Sequence, residues 1–205
     1  MRLEPWTLNL ALVLDPPGRI GQRHGVTASP GETSEPSRWV EAARAGDRIA
    51  FESLYGRYAG MVHGILLARV PGLDVEDLVQ EVFLIVFRRL SSLRDPAAFP
   101  GWLATIARNR ATDHLRRAPK TEDLPEDLPS PDPRETGETE ARAILEAIRA
   151  LPEAYRETLV LRLVEGMTGP EIAARTGLTP GSVRVNLHRG MARLRERLDR
   201  RKSHG

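Results

Sequence analysis

"MTGPEIAARTGLTPGSVRVNLHRGMARLRERL", residues 167–198, holds two short helical patterns around the break "TGLTP", and the second fills with arginine. Thr168 and Glu171 have the spacing of a capping box, in which the hydroxyl accepts from a backbone amide and the carboxylate reaches back. Ala173 is small where two helices would touch, Gly177 tolerates a left-handed backbone at the turn, and Val183 offers an apolar anchor for the next helix. Thr179 as cap and Pro180 at the first helical position start that helix, whose inner face continues through Leu187, Met191, Leu194 and Leu198. This is the pattern of a helix-turn-helix. Arg184, Asn186, His188 and Arg189 fall on the outer face, with Arg193, Arg195, Arg197, Arg200, Arg201 and Lys202 farther along. Forked donors near a helix N-terminus reach guanine edges in the major groove, whereas later ones suit phosphates. A solvated basic face on an ordinary bundle helix is the bland alternative; it leaves cap, turn and small residue in register unexplained.

The whole chain of 205 residues has room for two small cores, with 40% apolar residues and no cysteine. Disulfides and thiolate metal sites are thereby excluded, which fits a reducing, cytoplasmic setting. No apolar run approaches the roughly 18 residues needed to cross a bilayer, so no membrane insertion is expected. Histidines 24, 63, 114, 188 and 204 are scattered, so no metal and no cofactor is expected.

A net charge of +2 conceals an alternation. Residues 38–118 sum to +3, residues 119–140 to −6 and residues 141–205 to +6. Two basic bodies joined by an acidic tether suit a polyanionic partner. Of the 30 basic residues only Lys120 and Lys202 are lysine, which codon bias explains as readily as a need for guanidinium chemistry.

Residues 1–36 lack a sustained period and read as a disordered leader. Ser37 is positioned to cap "RWVEAARAG", and Asp47 to cap "RIAFESLYGRYAGMVHGILLARV". Asp74 would cap "VEDLVQEVFLIVFRRL", which sets Val75, Leu78, Val79, Val82, Ile85, Val86 and Leu90 on an apolar face opposite Asp77, Gln80, Glu81, Leu84 and Arg88. "SSLRDPAAFP" reads as loop. "GWLATIARNRATDHLRR" is amphipathic again, with Leu103, Ile106, Ala107, Ala111 and Leu115 inward and Arg108, Asn109, Thr112, Asp113 and Arg116 outward. The five prolines and acidic excess of 119–140 make a linker. Two helices separated by Pro152 then precede the opening stretch. No stretch alternates convincingly as a strand. The expected fold is all-α: two small helical domains, 37–118 and 141–202, joined by an acidic Pro-rich linker, the C-terminal one a helix-turn-helix.

"DVEDLVQEVFLIVFRRL", "FPGWLATIARNRATDHLRR", the acidic linker and "LPEAYRETLVLRLVEGMTGPEIAARTGLTPGSVRVNLHRGMARLRERL" together resemble, in that order and over about residues 38–200, bacterial RNA polymerase sigma factors of the extracytoplasmic-function (ECF) group. The resemblance implies a non-enzymatic protein whose partners are core RNA polymerase and promoter DNA, with an anti-sigma factor as a further candidate partner. It implies a polymerase contact through Asp77, Gln80, Glu81 and Leu84. For the minus-10 element it implies Phe99 and Trp102 as surfaces for unpaired bases, and Arg108, Asn109, Arg116 and Arg117 as cations and donors; for Trp102, plain core packing fits as well. For the minus-35 element it implies Ser182, Arg184, Val185, Asn186, His188 and Arg189. Val185 and Gly190 depart from the expected pattern, Gly190 at a helix-propensity cost of about 1 kcal/mol. The linker would thread near the polymerase active centre or RNA exit path; a passive tether is equally compatible.

Two rival classes remain to be weighed. A helix-turn-helix regulator that replaces no polymerase subunit leaves residues 74–117 without a role. A DNA-acting enzyme needs a catalytic domain, but the N-terminal body carries neither a paired-acid metal motif nor a phosphate loop.

Overall fold

The computed structural model describes the backbone of residues 35–70, 74–117 and 135–202, and the side chains of all of these but 135–140, 201 and 202. The leader through residue 34 and most of the expected linker lie outside the described residues. Among those described, every regular element is helical.

The first body comprises α1 (Glu35–Arg44), α2 (Arg48–Leu67), α3 (Val75–Arg89) and α4 (Phe99–Arg117). Asp47 caps α2 as its sequence demands, its carboxylate accepting from the amides of Ile49 at 2.8 Å and Ala50 at 3.2 Å. Ser37 does not act as a cap: α1 begins at Glu35, which places Ser37 inside the helix and buried. Asp74 precedes α3 without bonding its amides, and its carboxylate lies 3.4 Å from His114 Nε2 instead. The segment between α3 and α4 tightens into two 3-10 turns, Leu90–Ser92 and Pro96–Ala98, the second capped by Asp95.

Leu54, Met61, Ile65, Val82, Val86, Phe99 and Leu103 are fully buried at the centre of this body. Periodicity located most of that core, with three departures. Phe83 is buried while Ile85 is only half-buried, because α2 covers a broader arc of α3 than a strict stripe provides. Leu115, expected inward, is 46% exposed near the end of α4.

The second body comprises α5 (Glu135–Arg149), α6 (Glu153–Leu163), α7 (Gly169–Thr176) and α8 (Pro180–Lys202). Helix α5 begins within the stretch assigned to the linker. Ile148, Leu159, Leu163 and Leu194 form its core. Gly190 has a reason that propensity conceals: a Cβ there would stand 3.1 Å from Leu159 Cδ1 and 3.2 Å from Tyr155 Cβ. Its absence lets α8 lie close along α6.

The two bodies are packed on one another, α2 against α6 and α4 against α7. The core of the first continues without a break into Leu161, Met167, Ile172, Ala173 and Val183 of the second. Arg149 of α5 donates to the carbonyls of Leu67 and Val70 at 3.0 and 2.9 Å, satisfying the end of α2 from across the boundary.

Candidate nucleic-acid and polymerase surfaces

The helix-turn-helix is built as its local chemistry requires. Thr168 and Glu171 complete the capping box: the Thr168 amide donates to Glu171 at 2.9 Å, and the Glu171 amide donates to the threonine hydroxyl at 3.4 Å. The Thr168 backbone amide, then its hydroxyl, hold the Glu171 carboxyl below the usual carboxylate range. Gly177 ends α7 at φ +77°, a left-handed conformation that a side chain would strain. The Thr179 hydroxyl accepts from the Ser182 amide at 3.1 Å and starts α8.

Val183 and Leu194 anchor the inner face of α8. The residues expected to read DNA stand on the other side. Ser182, Arg184, Val185, His188 and Arg189 are exposed and Asn186 is half-buried. The Ser182 hydroxyl lies 2.8 Å from that of Thr179, so it also belongs to the cap. Farther along, Arg193 sits over the Tyr155 ring, 5.6 Å from its centroid, and Arg200 pairs with Glu196. Both remain exposed on the helix surface.

The expected minus-10 set is divided. Asn109, Arg116 and Arg117 are exposed on α4, and Trp102 is half-buried against Phe99 with ring centroids 6.1 Å apart. Phe99 is not a surface group. It is fully buried and packs edge-on against Tyr58 at 5.3 Å, so its ring meets core rather than a base. Arg108 does not face solvent as its helical position suggested. Its Nη2 donates to Glu157 Oε1 at 2.7 Å and to the Thr176 carbonyl at 3.0 Å, while Nε donates to Glu157 Oε2 at 3.1 Å.

Glu157 is buried between two guanidiniums, with Arg69, two residues past the end of α2, donating at 2.7 Å from the other side. Burial alone would push its carboxyl up, but Arg108 and Arg69 together outweigh that and hold it below the usual range. The same pairing raises Arg108 above the ordinary arginine value, against the opposing effect of burial. A carboxylate so placed is ionised at any physiological pH.

On α3, Asp77, Gln80, Glu81 and Leu84 are all exposed on one side. Glu81 is held by Arg110 of α4, so its carboxylate is oriented rather than free to sample solvent. Leu84 at 55% exposure and Phe87 at 66% border a groove of ≈ 590 Å³ between α2 and α3. Phe51, Tyr55, Gln80 and Phe83 line it as well. The Phe51 ring meets that of Phe87 edge-on at 5.3 Å.

Residues 54–121 match Sigma-70 region 2, and residues 141–194 match Sigma-70, region 4. RNA polymerase sigma factor CarQ of Myxococcus xanthus is 38% identical over 165 residues, spanning 78% of this chain and 95% of CarQ. The ECF RNA polymerase sigma-E factors of Haemophilus influenzae and Escherichia coli K12 are 34% and 32% identical over 73% of this chain, covering 88% and 87% of their own. The chain belongs to the ECF sigma factors.

A solved structure of CnrH in complex with the cytosolic domain of CnrY superimposes with a TM-score of 0.58 at 26% identity, covering 80% of this chain and 97% of CnrH. A sigma factor directs RNA polymerase to promoters, and the family regulates initiation rather than catalysing a reaction. Among the described residues of this sigma factor no helix is long and apolar enough to cross a membrane, and no cluster of three or more His, Asp or Glu could hold a metal ion.

Sequence pattern missed two features of this ECF factor. Phe87 was not singled out, although it lies three residues after Leu84 on a side of α3 otherwise polar; a large apolar pair there is the available signal. Glu157 lay inside a helix with no local mark, because its partners are 49 and 88 residues away in the chain.

Proposed function

We propose that this sigma factor, acting in the cytoplasm, binds core polymerase through the exposed side of α3, engages a minus-10 element with α4, and reads a minus-35 element with the first turns of α8. The observation that carries the proposal is the outward set Arg184, Val185, His188 and Arg189 on a helix anchored from behind by Val183 and Leu194. At 1.5 Å per residue α8 is about 35 Å long, enough to lie in the major groove with its N-terminal turns at base edges.

Asp77, Gln80 and Glu81 offer acceptors to a basic partner helix, and Leu84 with Phe87 offers it an apolar seat. Trp102, Asn109, Arg116 and Arg117 supply stacking, hydrogen bonding and charge for an opened strand. The energy for strand separation comes from capturing bases once exposed, aided by polymerase, since the chain carries no nucleotide-hydrolysis motif. Support for an anti-sigma partner comes from the likeness to CnrH, which was solved with the cytosolic domain of CnrY.

Run-off transcription with sigma-free core polymerase and genomic templates tests the proposal. Discrete start sites sharing two spaced elements are expected. If initiation appears only when another sigma factor is supplied, the protein acts otherwise.

A further inference from the structure

The arginines of α4 face three ways. Arg108 is bonded to Glu157, Arg116 and Arg117 are exposed, and Arg110 turns to α3, where its Nε and Nη2 both converge on Glu81 Oε2. The Arg110 side chain is 16% exposed against 47% for Glu81, so the cation is the fixed member of the pair and the carboxylate the presented one. Glu81 Oε1 has no bond among the described residues, which leaves the anion acceptor sites for a second donor. Asp77, one turn earlier on the same exposed side, has no ion-pair partner among the described residues.

A pair this open adds little to folding stability, because water competes for both ions. Its effect falls on binding. A long side chain immobilised at an interface loses freedom, and one already held before the partner arrives loses less. Coulomb attraction pulls the other way, since a guanidinium beside Glu81 lessens its hold on a basic partner helix. The two effects have opposite signs. Geometry favours the first, because both nitrogens crowd one oxygen and leave the other uncovered.

We infer that Arg110 is a positioning residue for the polymerase contact: from α4 it sets the Glu81 carboxylate of α3 so that Oε1 meets a donor on the partner helix. This inference rests on the proposed assignment of the exposed side of α3 to core polymerase. The helix that faces promoter DNA thereby also shapes the surface that faces the polymerase. The scaffold itself does not depend on the guanidinium. Val75, Leu78 and Val82 of α3 and Leu103, Ala107 and Ala111 of α4 are buried, and His114 Nε2 meets Asp74 at 3.4 Å one turn farther on.

Affinity of the full chain for sigma-free core polymerase, read together with the melting temperature, tests the inference. Arg110→Met keeps an aliphatic stem and deletes the guanidinium; it should weaken association about two- to tenfold with melting close to wild type. Arg110→Lys should recover most of the loss, because one ammonium can serve the single oxygen that Arg110 uses. In a Glu81→Ala background Arg110→Met should cost nothing further, whereas in an Asp77→Ala background it should cost its full factor.

Unchanged or tighter binding by Arg110→Met overturns the inference, as does an equal loss with and without Glu81, which would mark damage to the fold. Wild-type affinity for Glu81→Ala removes that carboxylate from the polymerase contact and the positioning role with it. A weakened Glu81→Ala beside an unaffected Arg110→Met overturns the positioning role alone and leaves the α3 contact standing.

Discussion

Gly56 and Gly64 occupy the same helix two turns apart, and the same substitution should move them in opposite directions. Replacing a helical glycine by alanine gains about 1 kcal/mol in intrinsic propensity wherever the new methyl finds room. At Gly56 nothing lies within 4 Å of an added Cβ, so the full gain is expected. At Gly64 the Cβ would stand 2.7 Å from Leu161 Cδ2 and 2.9 Å from Glu165 Cγ. Leu161 is fully buried and Glu165 is held by His63, so neither neighbour can swing into open space. Overpacking of this kind costs about 1–3 kcal/mol, which cancels or exceeds the propensity gain. Gly64→Ala should therefore be less stable than Gly56→Ala by about 1–3 kcal/mol. Thermal unfolding reads this as a gap of several degrees, at about 2–4 °C per kcal/mol for a chain of this size. The clash lies between the two bodies, so Gly64→Ala should also raise the radius of gyration, which Gly56→Ala should not. Equal stabilisation by both substitutions would show that α2 and α6 do not meet in solution.

Arg184→Ala should cost about 1–3 kcal/mol of promoter binding and relax sequence preference, read by competition binding on randomised minus-35 sites; unchanged affinity and preference would remove Arg184 from the interface. Leu84→Ala with Phe87→Ala should weaken core-polymerase association at least tenfold while leaving the melting temperature nearly unchanged, since both side chains are already largely exposed; a pull-down at wild-type strength would refute the contact. The Glu157 carboxyl, faced by Arg108 and Arg69, has its folded value depressed, so its contribution to stability is present above the ordinary carboxylate range and lost as pH falls through that depressed value. The difference in unfolding free energy between wild type and Glu157→Gln should thus stay constant from about pH 8 to 5 and shrink only below about pH 4.3; a difference that vanishes near neutrality would contradict the pairing.

Much of the secondary structure could be read from local chemistry. Asp47, the pair Thr168 and Glu171, Gly177 and Thr179 each act within four residues of themselves, where caps and turns are decided, and each does what its type and spacing predicted. The apolar rows of α3 and α8 were legible for the same reason, since a helix repeats its face every few residues. Local rules also misled. Phe99 and Trp102 look alike as aromatics at the start of α4, but one is sealed in the core and the other lies at its edge. Gly190 looked like a flaw until Leu159 and Tyr155 appeared against it.

By itself, then, the sequence determined that this is an all-helical chain of two basic bodies ending in a helix-turn-helix, and the ordered motifs determined its membership among ECF sigma factors. Tertiary structure alone decided that the bodies close on each other, that Arg108 is spoken for by Glu157, and that a groove opens beside Leu84 and Phe87. The physical reason is range: caps, turns and amphipathic faces are fixed by neighbours within a turn or two. A buried ion pair or a glycine contact depends on a partner dozens of residues away, whose approach no local pattern encodes.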